Sequence, residues 1–427
     1  MKVKINYGDS PIELEIPDKN FAGKIIPKAL KIKENTLQVL QDAMNNSEIK
    51  LFEITKGKSV CVMIEDHTRS EPHKELIETL SANLKNADFI QFVIATGTHE
   101  VEHPENIEIL NMINQSAKKY NLNYDAYIHD GLNGDFEEVG TTSFGTKVLV
   151  DKKCIGHDVY VVAADMKAHY FAGYSAPVKD FLPGICAFET IEHNHSFAIH
   201  DNATFGRHPM HSDIHRRSNP VAEDMVEAMN LIINQSPVFV LGVITSNKKI
   251  IWAKAGDINQ VSTEAFDVLD EIASFTVEPV DRIIVSPGGY PFDLSIYASQ
   301  RALELTKNAI KENGEILFLA ECRDGIAPNQ EAKELFYDKL TQPIPKVIED
   351  ISQKYKLYTH KAYKFARLIQ KVNKIWMYTT LSKEDVERIH LYKAEDPQDV
   401  IDKWIKENPD VKILVFDKAS KLTIYAK

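Results

Sequence analysis

Short, nearly continuous runs of apolar and largely β-branched residues recur along the chain. They alternate with stretches whose apolar residues fall three and four apart. Ser59–Ile64, Phe89–Ala95, Asp158–Ala163 and Val238–Ile244 have the pattern of strands buried on both faces. Leu76–Leu84 and Ala222–Ile233 carry their apolar residues at helical spacing. This alternation predicts an α/β protein with mainly parallel sheets. A second series starts near residue 280. Arg282–Val285 reads as a strand that runs into the turn Ser286-Pro287-Gly288-Gly289. A helix is expected from about Leu294 to Asn313, a strand over Glu315–Ala320, a turn at Asp324-Gly325 and a helix near Asn329–Leu340. Lys374–Thr379 and Val411–Phe416 read as further strands.

The chain has 427 residues, which at roughly 100–200 residues per domain suggests two or three domains. The first pattern stops near Thr276–Asp281, where Pro279 interrupts it. Two α/β domains are therefore expected, 1–276 and 277–427, with the last residues able to pack back on the first. Ligands of open α/β sheets bind beyond the carboxyl ends of strands, often between domains, so the active site is expected in the interdomain cleft.

Apolar residues make up 44% and charged residues 26% of the chain, an ordinary globular composition. A net charge of −12 speaks against nucleic acid or an anionic membrane surface as a partner. No leader-like start and no bilayer-length apolar run is visible, so a cytoplasmic location is expected. The four cysteines, at 61, 154, 186 and 322, form no CxxC pair, which argues against a zinc ribbon or dithiol site. Thirteen of the 15 histidines lie between His67 and His215, which points to chemistry in the first half.

Three polar clusters follow predicted strands. Asp66-His67-Thr68-Arg69 follows the first, Thr96-Gly97-Thr98-His99 the second, and Asp165 to Lys179 the third. Each has a plain structural reading as well. Asp66 or Thr68 suits a helix cap, or a helix start holding an anion with Arg69 as bidentate partner. His99 at a strand end is either incidental or an acid–base group. Lys179 lies in an apolar stretch, either paired with Asp180 or desolvated and reactive. His195, between Asn194 and Ser196, suits a metal ligand oriented by a neighbour. His193 beside it raises the alternative of a zinc hydrolase, although no HExxH motif is present.

Taken in order, these segments resemble the nickel-pincer lactate racemase family. The resemblance covers D-x-T-R at 66–69, A-T-G-x-H at 95–99, H-Y-F-A-G-Y-S at 169–175, K-D-F-L-P-G-I at 179–185, E-T-I at 189–191 and N-H-S at 194–196. It continues through Asn219-Pro220, Ala255-Gly256-Asp257, Ser286 to Asp293 and Tyr297. It implies a nickel-pincer nucleotide, a pyridinium mononucleotide with a 3-thioamide and a 5-thiocarboxylic acid that hold nickel. It further implies Lys179 as covalent tether, His195 as nickel ligand, and His99 and His169 as paired bases. Asp66, Thr68 and Ser175 are then candidate cofactor contacts, and Arg69, Tyr297 and Arg301 candidate substrate contacts. The implied reaction inverts C2 of a 2-hydroxy acid through hydride removal and return by way of a 2-keto acid. Cofactor-synthesis enzymes become the expected partners, and neither nucleic acid nor a membrane is expected. Ala176-Pro177-Val178 stands where close relatives of lactate racemase have Gly-Gly-Arg. Ala298 replaces a glutamine and Arg301 a lysine. These departures favour a substrate larger than lactate, such as a sugar acid. Lactate racemase proper and a non-catalytic cofactor-binding protein are the alternatives.

Overall fold

In the computed structural model, which describes residues 1–29, 31–69, 71–246 and 248–427, the chain forms two compact units. One spans residues 30–269; the other combines 1–29 with 270–427. The first 29 residues thus fold with the C-terminal unit, whereas the sequence reading grouped them with residues up to 276.

The unit of residues 30–269 is built on a six-stranded sheet. Its order is Lys249–Asp257, Val238–Ser246, Val159–Asp165, Ser59–Glu65, Phe89–Ala95, Tyr124–Ile128. Only the first pair is antiparallel. The central strands are apolar throughout because helices cover both faces; every residue of Val159–Asp165 is buried. Val62, Ile64, Phe92, Ile94, Val161 and Leu241 share a core with Leu76, Ile77 and Leu80 of the helix His73–Asn83. Each such side chain contributes about 1.5–3 kcal/mol by leaving water. The helix Pro220–Ile233 starts two residues before the expected Ala222. Asn219 caps it by accepting from Val221 N at 3.1 Å, and Pro220 occupies its first turn.

From Ser59–Glu65 the chain winds outward through Phe89–Ala95 and Tyr124–Ile128. It then crosses to the other side, to Val159–Asp165 and Val238–Ser246. The order reverses between Ser59–Glu65 and Val159–Asp165. A crevice at the carboxyl ends of two such strands is where open α/β sheets take ligands, and the expected site loops leave the sheet there.

The second unit holds six parallel strands in the order Tyr392–Lys393, Lys374–Tyr378, Ile310–Leu319, Val280–Val285, Ile413–Phe416, Phe21–Ile25. Pairing of Phe21–Ile25 with Ile413–Phe416 draws the N-terminal segment into this unit. The last strand, Thr423–Ala426, pairs with Ser274–Val277. The expected helix to Asn313 is shorter: Ile296–Thr306 is helical, Lys307–Ala309 makes a tighter turn, and Ile310 already pairs with Val280. Sheet pairing overrides the helical spacing there. No helix among the described residues is long and apolar enough to cross a membrane.

Candidate active site

Two glycines fix the approach of the site loops. Gly97 has a φ of +57° and its N–H donates to the Gly184 carbonyl at 3.0 Å, tying the His99 loop to the turn after Lys179. Gly173 has a φ of +79°, and a Cβ there would lie 1.8 Å from the Arg207 carbonyl oxygen. Only glycine fits that backbone. It lets Lys167–His169 pair closely with Gly173–Ser175.

Asp66, almost fully buried, is the hub of the first loop. Its Oδ2 lies 2.6 Å from His99 Nδ1, and its Oδ1 accepts from the Thr68 hydroxyl at 2.6 Å. Burial opposes ionisation, but these bonds and the nearby Arg69 charge outweigh it and lower the carboxyl to about 2. The carboxylate therefore holds a proton on His99 Nδ1, leaving the Nε2 lone pair of the neutral ring as the basic position. Asp66 and Thr68 were expected to contact a cofactor; in this structure they bond to each other, and Asp66 also to His99. Arg69, expected as a carboxylate clamp, has its Nε 3.0 Å from Glu65 Oε1. Glu65 was not singled out from sequence, although its i,i+4 spacing to Arg69 is a readable signal.

His169 has the opposite arrangement. Its Nδ1 accepts the Ala172 backbone N–H at 3.2 Å, so the neutral ring carries its proton on Nε2. Its ring meets Phe171 edge to face at 4.5 Å, and Phe171 meets His195 at 5.3 Å. His195 pairs its Nδ1 with Asn194 Oδ1 at 3.1 Å, which presents Nε2 as a lone-pair donor. Burial, reinforced by the charge of Lys179, lowers His195 to about 3, so the imidazole stays neutral. Lys179 sits on the short helix Val178–Phe181. Beside it Asp180 is buried and pushed well above the usual carboxylate range by that burial and by Glu65, against the pull of Arg69 and Lys179. The Ser175 hydroxyl is buried without a hydrogen-bond partner among the described residues. His99, His169, Lys179 and His195 thus lie in one neighbourhood at the sheet's switch point, with Asp66, Arg69 and Ser175.

His193 points elsewhere, bonding Thr146 Oγ1 at 2.8 Å. His208 and His211 accept the backbone N–H groups of Met210 and Asp213. Among the described residues no group of three or more His, Cys, Asp or Glu side chains is arranged to hold a metal.

In the second unit, Tyr297 opens the helix Ile296–Thr306, capped by Ser295, and Arg301 lies one turn on. Lys361, which the sequence gave no reason to select, donates from Nζ to the Tyr297 carbonyl at 3.0 Å and lies 3.9 Å from the centre of its ring.

Residues 7–206 match the model of the lactate racemase N-terminal domain and residues 275–419 that of the lactate racemase C-terminal domain. The lactate racemase of Thermoanaerobacterium thermosaccharolyticum is 29% identical over 334 residues, which are 76% of this chain and 75% of that protein. That of Lactiplantibacillus plantarum is 25% identical, with 97% of each chain covered. The structure of the lactate racemase apoprotein from T. thermosaccharolyticum superposes with a TM-score of 0.83 at 25% identity, covering 99% of this chain and all of that one. A Thermotoga maritima protein at 14% identity and a TM-score of 0.60 shares the fold.

Proposed function

Because the chain belongs to the lactate racemase family, we propose that it is a nickel-pincer-dependent isomerase that inverts C2 of a 2-hydroxy acid larger than lactate, with a sugar acid as one such substrate. The observation that carries this reading is the pairing of two histidines whose neutral rings hold their protons on opposite nitrogens, His99 on Nδ1 and His169 on Nε2. A carrier of the cofactor has no use for such a pair.

The side chains fit the cofactor. Ser175 offers a buried hydroxyl in need of a partner. His195 is neutral, with an oriented Nε2 that would ligate the nickel. Lys179, whose charge His195 senses, is the tether. When bound, the nickel-pincer nucleotide would supply a reversible hydride acceptor. The C2–H of a 2-hydroxy acid is too weak an acid for direct deprotonation, so the protein's own task is to move the hydroxyl proton. For one stereoisomer His99 Nε2 takes that proton as the C2–H electron pair departs, leaving a planar 2-keto acid. A histidine returning a proton to the oxygen would complete the inversion. His169 serves the opposite stereoisomer. Arg69, Tyr297 and Arg301 are the substrate contacts in this reading.

The test is a C2-inversion screen of holoprotein, made with the cofactor-synthesis enzymes, against a panel of 2-hydroxy acids. His169→Ala should abolish turnover while the added mass on the Lys179 peptide remains. A holoprotein that racemises lactate and ignores every longer acid would overturn the substrate assignment. One that holds nickel and turns over nothing would reduce the protein to a carrier.

A further inference from the structure

His67 and His103 stack face to face beside the pair Asp66–His99. Their ring centres are 3.7 Å apart and their planes 9° from parallel. All four residues belong to the unit of residues 30–269. Asp66 Oδ2, which lies 2.6 Å from His99 Nδ1, is 3.9 Å from His67 Nδ1, so the two rings flank one carboxylate oxygen. The Asn106 amide fixes the tautomer of His67. Its nitrogen donates to the Glu100 carbonyl at 2.9 Å, which turns Oδ1 towards His67. That oxygen accepts the His67 backbone N–H at 2.9 Å and lies 3.2 Å from ring Nδ1. An amide oxygen cannot donate, so Nδ1 carries the proton and Nε2 keeps a lone pair. His103 is the opposite: its Nδ1 accepts the Glu105 backbone N–H at 3.3 Å, which leaves the proton of the neutral ring on Nε2. His67 and His103 are half-buried and the His99 side chain is 46% exposed, so all three rings reach solvent.

Inversion by two bases leaves the protein in a different protonation state from the one in which it began. In the reading above His99 takes up the hydroxyl proton and His169 gives one back, so a turnover ends with His99 charged and His169 one proton short. The next molecule of the same stereoisomer is processed only after His99 has lost its extra proton. The Asp66 carboxylate, ionised down to about pH 2, holds that imidazolium by its charge. Water is a poor base, whereas a second imidazole is a good proton acceptor near neutral pH. We propose that His67 is a proton relay that resets His99 between turnovers. The proton on His99 Nε2 passes through water to His67 Nε2. The His67 imidazolium then gives it to a base in solvent, and His169 regains a proton from solvent, so the count closes. Stacking disfavours a second charge beside the first, so His103 stays neutral while His67 carries the proton. His67 acts through His99 and has no need to touch the substrate. The relay rests on the reading of the protein as a two-base isomerase.

His67→Phe keeps a ring against His103 and removes both nitrogens; His67→Gln replaces it should the first variant fail to fold. In the holoprotein, with rates taken per bound nickel, kcat should fall roughly tenfold, less than the about 10²–10⁴-fold of a group that meets the substrate itself, because His99 keeps its own access to water. The ratio kcat/KM should stay unchanged, since at low substrate concentration His99 resets before the next encounter. Added imidazole should restore kcat in the variant and leave the wild type as it was, a response that a merely structural defect does not give. Nitrogen-15 shifts of the histidine rings, measured on the full chain without cofactor, supply a readout apart from turnover: neutral His67 should carry its proton on Nδ1. An unchanged kcat in the variant, a loss that imidazole does not restore, or a neutral His67 protonated on Nε2 overturns the relay. Normal inversion by the variant removes the relay and leaves the isomerase reading in place. A wild-type holoprotein that inverts no 2-hydroxy acid removes the isomerase reading, and the relay with it.

Discussion

Asp66→Asn separates two roles for one residue, contact with the cofactor and orientation of His99. In the wild type Asp66 Oδ2 lies 2.6 Å from His99 Nδ1, a charge-assisted hydrogen bond worth about 1.5–3 kcal/mol. An asparagine in the same rotamer can donate its amide hydrogen to Nδ1. The neutral ring then takes the Nε2–H form and has no lone pair to offer the substrate hydroxyl. Loss of an orienting carboxylate through the wrong tautomer costs about 10⁴-fold in a serine-protease triad, so a fall in kcat of about 10²–10⁴-fold is expected. The same substitution has a stability signature. The folded-state pKa of Asp66, about 2, lies below its ordinary value of 3.8, so the ionised form stabilises the fold by about 2 kcal/mol. Because the folded value is depressed, that stabilisation is complete above about pH 4 and disappears as pH falls towards 2. Urea unfolding of wild type and Asp66→Asn from pH 7 to pH 3 should therefore show curves that converge on the acid side. The kinetic measurement is C2 inversion with nickel content and Lys179-peptide mass followed in parallel. Unchanged kcat, or lost cofactor with normal turnover per remaining cofactor, would refute the orienting role and return Asp66 to the contact role expected from sequence.

Further measurements test the other parts of the reading. In the proposed reaction C2 hydrogen travels as hydride, so a substrate deuterated at C2 should keep its label in the inverted product; washout into solvent would point to simple deprotonation. His195→Ala should lower nickel per protein while the mass added to Lys179 stays, and equal nickel in both proteins would remove His195 as a ligand. Gly173→Ala combines a positive φ with a Cβ 1.8 Å from the Arg207 carbonyl oxygen. It should destabilise the protein by about 3 kcal/mol or more, and an unchanged melting temperature would contradict the close approach of those loops.

The strands of residues 30–269 were legible because burial on both faces leaves an apolar run with polar residues at its ends; Phe89–Ala95 coincides with its expected bounds. Errors arose where long-range pairing decides. Nothing near Phe21–Ile25 announces that it will join Ile413–Phe416, hundreds of residues away. The helical spacing through Lys307–Asn313 conceals the pairing of Ile310 with Val280. The site shows the same division. His99, His169, Lys179 and His195 could be selected because their motifs occur in a fixed order. Lys361 could not, because its contact with Tyr297 bridges 64 positions and lies on an ordinary-looking amphipathic helix.

The proton positions of the histidine pair were the least legible feature, and they carry a consequence for the kinetics. One ring is held by a carboxylate and the other by a backbone N–H. An ionised carboxylate stabilises the imidazolium that forms when His99 takes a proton, whereas a backbone N–H directed at Nδ1 must be given up or reoriented before His169 can carry a second proton. In the proposed reaction the two directions of inversion therefore start from unlike bases. Thermodynamics fixes the ratio of kcat/KM for the two stereoisomers at the equilibrium constant, so this difference cannot appear there. It must divide between kcat and KM, giving the isomer processed by the Asp66-supported histidine the higher turnover and a matching rise in KM. Asp66→Asn should reduce that inequality along with the rate, since it withdraws the one charge that distinguishes the two bases.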